Sequence, residues 1–275
     1  MTDKPKYAQS SAVYFNYTLE YAIRDLARLG YDGVEIWGGR PHFYRDDLAD
    51  AIPRLKDLAR ELGMEICNFI PAQFRYPSLL CSLDEGIRKD SVGYVATAMK
   101  NAAALGVPSV SLCPGMVPWD QDLEAGRKNL MKSFRELASI NGEYGRKLLI
   151  EPAHRFETNL ILTIDDCIEA MDQLDSDAFG ILLDVGHCHV NGEDLPEAVR
   201  NASAYPLHIH LDDNRGDMDA HLIPGEGTID FGALATVLEE IDYRGFISVE
   251  IGGGYIMDPA AACKTSLERL RNHFG

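Results

Sequence analysis

From residue 7 to residue 273 the chain repeats one unit eight times, a short apolar run followed by an amphipathic stretch, at a pitch of about 30 residues. The apolar runs, read as strands, lie near 7–14, 32–37, 64–71, 108–113, 147–152, 178–184, 205–211 and 245–251. The stretches between them read as helices near 18–30, 47–62, 84–105, 121–144, 163–174, 193–202, 230–241 and 259–273. In 47–62, Leu48, Ile52, Leu55, Leu58, Ala59 and Leu62 share one face, while Arg54, Lys56, Asp57 and Arg60 lie elsewhere. Asp46 is placed to cap that helix, and Thr163 to cap the fifth, with Asp165 and Asp166 in its first turn. Gly30, Gly63 and Gly106 stand where helices end before strands. Eight such cycles imply an α/β fold, a (β/α)8 TIM barrel. No Pro/Gly/Ser linker or low-complexity tract interrupts them, so residues 1–275 read as one domain. A doubly wound nucleotide-binding sheet needs a glycine-rich loop after its first strand, and SSAVYFNYT supplies none. Gly252-Gly253-Gly254 follows the last strand and reads as backbone clearance.

The formal charge is −17, from 26 basic and 43 acidic residues, which argues against a nucleic-acid or anionic-membrane surface. It favours a neutral or cationic small molecule over a heavily phosphorylated one. The six cysteines contain no CxxC pair and lie in or beside apolar runs, as reduced, buried thiols do. MTDKPKYAQS has no signal-peptide pattern, and no apolar run reaches membrane-spanning length, so a cytoplasmic setting is expected.

Four strand-like runs in the C-terminal half end on a group that should not be buried alone: Glu151 (KLLIEP), Asp184 (FGILLDVGH), His210 (YPLHIHLDD) and Glu250 (FISVEI). Burying one carboxylate costs several kcal/mol unless it is paired or metal-bound. In a parallel barrel the C-terminal strand ends share one mouth, so these four predict a divalent-cation site there. The mixed O/N donors suit Mn²⁺ foremost, then Co²⁺ or Mg²⁺, and less exclusively Zn²⁺. Taken singly, each residue reads better as a salt bridge or capped strand end; four in series reverse that preference. Six of the eight histidines lie between 154 and 221. Of these, His154 and His189 read as solvated surface, and His208 as a ring inside the barrel below His210. Glu35 reads as a buried, hydrogen-bonded carboxylate, with an orienting role as its alternative. Trp37, His42, Phe43, Trp119, His221 and Tyr14 are candidates to wall a substrate pocket, or simply loop packing.

The segments EPAHRFETN, DVGHCH, HIHLDDNRG and IPGEGTIDF, in that order, resemble the sugar isomerase/epimerase barrels related to xylose isomerase. The likeness is nearest to the D-tagatose/D-psicose 3-epimerase family. YDGVEIWGGRPH and the PGEG loop resemble fructoselysine 3-epimerase. The resemblance implies that Glu151, Asp184, His210 and Glu250 bind the metal, and that Glu151 and Glu250 double as the acid/base pair. It further implies that Glu157, His187 and Arg215 bind substrate oxygens, and that the chain forms a dimer or tetramer. Arg215 stands one residue nearer the metal histidine than the arginine of the tagatose epimerases.

The chemistry asks for such residues. The C3 proton of a ketose is acidified by the C2 carbonyl, and a cation on O2 and O3 stabilises the enediolate formed on its removal. Inversion needs a carboxylate on each face, whereas one base alone gives aldose–ketose isomerisation. A metal-dependent ketose 3-epimerase is therefore the leading expectation. A hydroxypyruvate-type isomerase or inosose-type dehydratase, or a non-catalytic sugar-binding protein keeping a structural metal, are its rivals. Xylose isomerase has a lysine where this chain has Ala153, and endonuclease IV barrels bind DNA and need a three-zinc cluster.

Overall fold

The computed structural model describes residues 4–73 and 78–275. Eight strands, β1 (Lys6–Ser10), β2 (Gly33–Gly38), β3 (Glu65–Pro71), β4 (Ser109–Leu112), β5 (Lys147–Ile150), β6 (Phe179–Asp184), β7 (Leu207–Leu211) and β8 (Phe246–Val249), pair in parallel and in chain order. β8 closes on β1 through Lys6–Phe246, Tyr7–Ile247, Ala8–Ser248 and Gln9–Val249. The expected (β/α)8 barrel is what the chain forms. Among the described residues, the helices are α1 (Leu19–Leu29), α2 (Ile52–Glu61), α3 (Glu85–Leu105), α4 (Leu123–Asn141), α5 (Ile164–Leu174), α6 (Val185–Asn191), α7 (Leu195–Ala202), α8 (Phe231–Glu240) and α9 (Pro259–Phe274). None is long and apolar enough to cross a membrane.

The two faces of each strand do different work. Val34 and Ile36 of β2, Val110 and Leu112 of β4, Ile209 and Leu211 of β7, and Ile247 and Val249 of β8 join the hydrophobic cluster. The residues between them, Glu35, Ser111, His210 and Ser248, are buried and polar. Because strand side chains alternate, these four line the barrel interior. The chain therefore carries a polar column where most barrels stack branched aliphatics.

Three local expectations are corrected. The first strand stops at Ser10, not near 14, because a 3-10 turn follows over Ser11–Tyr14 with Ser10 Oγ accepting from Ala12 N–H. Tyr14 is thereby buried and donates to Asp25 (2.7 Å), so it is packing and not pocket wall. Asp46 caps nothing: the second helical segment starts with a 3-10 turn at Ala49–Ala51, and the carboxylate meets Lys100 at 3.3 Å. An extra helix, α6, follows β6 directly, with Asp184 as its N-cap. Its short, histidine-rich run has no apolar period to announce it. Thr163 does cap α5, and Asp166 reciprocates to complete a capping box. Gly30 and Gly106 end α1 and α3 in the left-handed conformation.

β6 approaches β7 so closely that a Cβ at Gly180 would sit 2.6 Å from the Pro206 carbonyl oxygen. On the exposed face of α3, a Cβ at Gly93 would meet nothing within 4 Å. Gly180→Ala should therefore destabilise the protein by about 1–3 kcal/mol. Gly93→Ala should stabilise it by roughly 1 kcal/mol. Urea unfolding midpoints that move in the same direction for both variants would refute this packing account.

Candidate metal centre and active site

Glu151 follows β5, Asp184 ends β6, His210 lies in β7 and Glu250 follows β8. The ladder sets Asp184 opposite His210 and His210 opposite Ser248, so adjacent strands deliver their polar ends at nearly one level. One ligand atom from each of the four lies within 4.8 Å of all the others. The centre is His210 Nδ1, 2.9 Å from Glu250 Oε2, 3.6 Å from Glu151 Oε1 and 3.7 Å from Asp184 Oδ2.

Three of the four groups are engaged on the atom that faces away from this cluster. His210 Nε2 meets both oxygens of Glu35, at 2.9 and 3.0 Å. Asp184 Oδ1 accepts the His187 backbone N–H at 2.9 Å. Glu151 Oε2 lies 3.5 Å from the buried Cys113 thiol. Yet His210 Nδ1 and Asp184 Oδ2 are buried without any hydrogen bond. Buried polar atoms are normally satisfied, so two that face the same point, with three carboxylates around them, fit a cation. The electrostatics agree. Burial disfavours a charged His210, but Glu35 and Glu250 outweigh it and hold the imidazole well above its ordinary pKa. Burial likewise opposes charge on Asp184, and His187 and His210 outweigh it, so that carboxyl lies below the usual range.

A second group flanks the first. The buried Asp219 places Oδ2 2.8 Å from His221 Nε2, 3.4 Å from His187 Nε2 and 3.5 Å from His154 Nε2. His187 Nδ1 meets the Pro152 carbonyl at 3.1 Å. Asp212, fully buried, lies 2.8 Å from His221 Nδ1. Burial, with Asp184 nearby, pushes the Asp212 pKa far up. Gly186 is required here, since a Cβ would stand 2.1 Å from Asp212 Oδ1. The neighbouring Asp213 instead binds the backbone: Gly225 and Gly227 N–H at 2.8 Å, Asn214 N–H at 2.9 Å and Ile229 N–H at 3.2 Å. It thereby shapes the PGEG loop. His154 is buried rather than solvated, correcting the surface reading; burial drives its pKa down to about 4.

Residues 23–273 match the family model described as "Xylose isomerase-like TIM barrel". The chain belongs to the xylose isomerase-like TIM barrel family. It is 31% identical over 262 residues to fructoselysine 3-epimerase of Escherichia coli O157:H7, covering 92% of each chain. It is 27% identical over 237 residues to D-psicose 3-epimerase of Ruminiclostridium cellulolyticum, covering 84% of this chain and 77% of that one. The crystal structure of a D-tagatose 3-epimerase-like protein superposes with a TM-score of 0.81 at 27% identity, over 97% and 98% of the two chains.

On this xylose isomerase-like barrel the other sequence candidates separate. Glu157 and His187 join the site, with Glu157 Oε2 3.9 Å from His187 Nε2, and His221 closes it from the β7–α8 loop. Arg215 is exposed on that loop. His42 is buried with Nδ1 at Ser11 Oγ (3.0 Å) and Nε2 at the Tyr17 carbonyl (3.2 Å), so its ring supports Trp37 from behind. Phe43 packs on Phe69 in the core. Trp37 is half-buried against Phe15, whereas Trp119 is 83% exposed. His208 is inside the barrel beside His210, and His189 sits partly exposed against Thr228. Asp212, Asp219 and Cys113 were not singled out by the sequence. The acidic DDNRGDMD tract gives no sign of which carboxylates turn inward.

Burial lifts the Glu157 pKa to about 7, with His187 only partly offsetting it. An acid raised on folding leaves the folded state holding more protons, so stability falls as pH rises from the unfolded value toward 7. Glu157→Gln should match the parent near pH 4.5. Above pH 7, in metal-free protein, it should exceed the parent by on the order of 2 kcal/mol. Urea titrations at pH 5 and pH 8 giving the same difference between the two proteins would overturn this assignment.

Proposed function

We propose that this protein is a divalent-metal-dependent ketose 3-epimerase, acting on a ketose or ketose derivative. The observation that carries the reading is the pair of glutamates. Glu151 and Glu250 come from β5 and β8 and approach the same His210 nitrogen from different strands. A sugar seated over that point has one carboxylate toward each face of C3. One glutamate takes the C3 proton, and the other returns a proton from the opposite side. The roles exchange with reaction direction. Glu151, Asp184, His210 and Glu250 would hold a divalent ion, which would supply polarisation of the C2 carbonyl and offset the charge that develops when C3 is deprotonated. Three carboxylate donors and one imidazole favour Mn²⁺, with Co²⁺, Mg²⁺ and Zn²⁺ as alternatives.

His187 and Glu157 orient the oxygens next to the reacting carbon. Both are tied to the loop network, His187 through Pro152 and Asp219. The exposed Arg215 reaches the substrate from the β7–α8 loop, and Trp37 and Trp119 offer ring faces to sugar C–H surfaces. The name of the Escherichia coli relative brings amine-linked ketoses into the substrate range beside free ketohexoses and ketopentoses.

Incubation of Mn²⁺-loaded protein with a ketose panel in D₂O should place deuterium at C3, read by NMR. Label at C1 or C2 would mark an isomerase, and no uptake a silent binder. Glu250→Gln should lower C3 exchange by about 10²–10⁴-fold. Undiminished turnover in that variant would refute the two-carboxylate mechanism.

A further inference from the structure

Below the metal centre, the barrel interior holds a carboxylate that packing does not call for. Glu35 is fully buried in β2, yet it reaches a ring in β7, three strands away around the barrel. An aliphatic side chain would fill that layer at no electrostatic cost.

We infer that Glu35 is a positioning residue for the metal centre, holding His210 with its Nε2–H inward and its Nδ1 lone pair bare toward Glu151, Asp184 and Glu250. The inference rests on the metal reading above and deepens it. Both Glu35 oxygens face the one nitrogen, at 2.9 and 3.0 Å, and a carboxylate can only accept there. Nε2 must therefore carry the hydrogen, which leaves Nδ1 as a donor atom to a cation.

Glu35 is itself held. Asn68 Nδ2 donates to Glu35 Oε1 at 2.5 Å and to Ser111 Oγ at 2.7 Å, while Asn68 Oδ1 accepts from Ser109 Oγ at 2.7 Å. With all three contacts made, the amide cannot turn. A β-bulge delivers it: Val34 pairs with Ile66, but Glu35 pairs with Asn68, so β3 carries one extra residue, Cys67. Without that insertion Glu35 would face Cys67, and Asn68 would be turned to the other side of the sheet. The bulge, the amide and the serines thus fix the carboxylate, and the carboxylate fixes the imidazole. His208 adds a second ring, 3.5 Å from Glu35 Oε2 and edge-on to His210 at 5.6 Å.

Such partners behind a metal-binding histidine typically govern affinity by about 10–100-fold. The test is titration of the full-length, metal-free protein with Co²⁺, followed by its visible absorption. Long-range ¹H–¹⁵N spectra of the histidine rings, recorded with diamagnetic Zn²⁺ bound, report which nitrogen meets the metal. Glu35→Gln should weaken Co²⁺ binding by about 10–100-fold and release His210 from the single form with Nδ1 on the metal and Nε2 protonated. Glu35→Asp keeps the charge but is one methylene too short, and it should fail to restore affinity. Co²⁺ bound at parental strength by either folded variant would overturn the inference, because charge or packing alone would then suffice. A parent that binds no Co²⁺ would sink both this inference and the metal reading. A parent that binds Co²⁺ but exchanges no C3 proton sinks only the epimerase reading.

Discussion

Three carboxylates crowd a single imidazole nitrogen at the C-terminal end of the barrel, where Glu151, Asp184 and His210 are buried and Glu250 is partly exposed. Glu151 Oε1, Asp184 Oδ2 and Glu250 Oε2 lie 2.9–3.7 Å from His210 Nδ1. Like charges gathered this closely away from bulk water repel one another. Positive charge must come from somewhere. Without an ion, the protein draws it from a proton on His210, whose affinity for that proton is strongly raised. With one, a single divalent charge answers all four donors. The surroundings make sense from this point, because His210, Asp184 and Glu151 are tied on their far atoms by Glu35, the His187 amide and Cys113, while His210 Nδ1 and Asp184 Oδ2 are left without a hydrogen bond.

The barrel's contribution is register. Closing eight parallel strands puts β5, β6, β7 and β8 side by side, and the pairing Asp184–His210–Ser248 brings their ends to one height. A slip by one residue would turn His210 out into the helical layer and Ile209 into the site. The apolar outer faces of the strands prevent it, since Ile209, Leu211, Ile247 and Val249 are buried against the helices. Stability resides on one face of each strand and chemistry on the other.

That division explains what could be read in advance. The eight-fold alternation exposed the barrel because the outer face must be apolar and each helix amphipathic. The four clustered residues were visible because four successive apolar runs each close on an acid or imidazole, though any one alone reads as a salt bridge or cap. Glu35 was harder. Inside GVEIW it looks like any buried carboxylate until β3's bulge and the reach to β7 are known, and both are non-local. Asp212 and Asp213 are adjacent and identical, yet one faces the site and the other holds the PGEG loop. Strand alternation separates them, and only the coordinates say where β7 ends. His154 was misjudged because its burial depends on Asp219, 65 positions on in the chain, folding back over it.

The charge count links the centre to its chemistry. Glu151, Asp184 and Glu250 would bring three negative charges to a divalent ion, one in excess. A site neutralised completely would hold its carboxylates too tightly for either to serve as a base. A carboxylate in surplus would be free to take a proton, while the ion would acidify the carbon beside the carbonyl. The flanking groups limit that surplus. Burial and Asp184 drive Asp212 toward its neutral form, and Asp219 is matched against the imidazoles of His187 and His221. The acidic centre is thus flanked by acids that are either neutral or paired, a setting suited to a neutral ketose that must lose a proton and regain it on its other face.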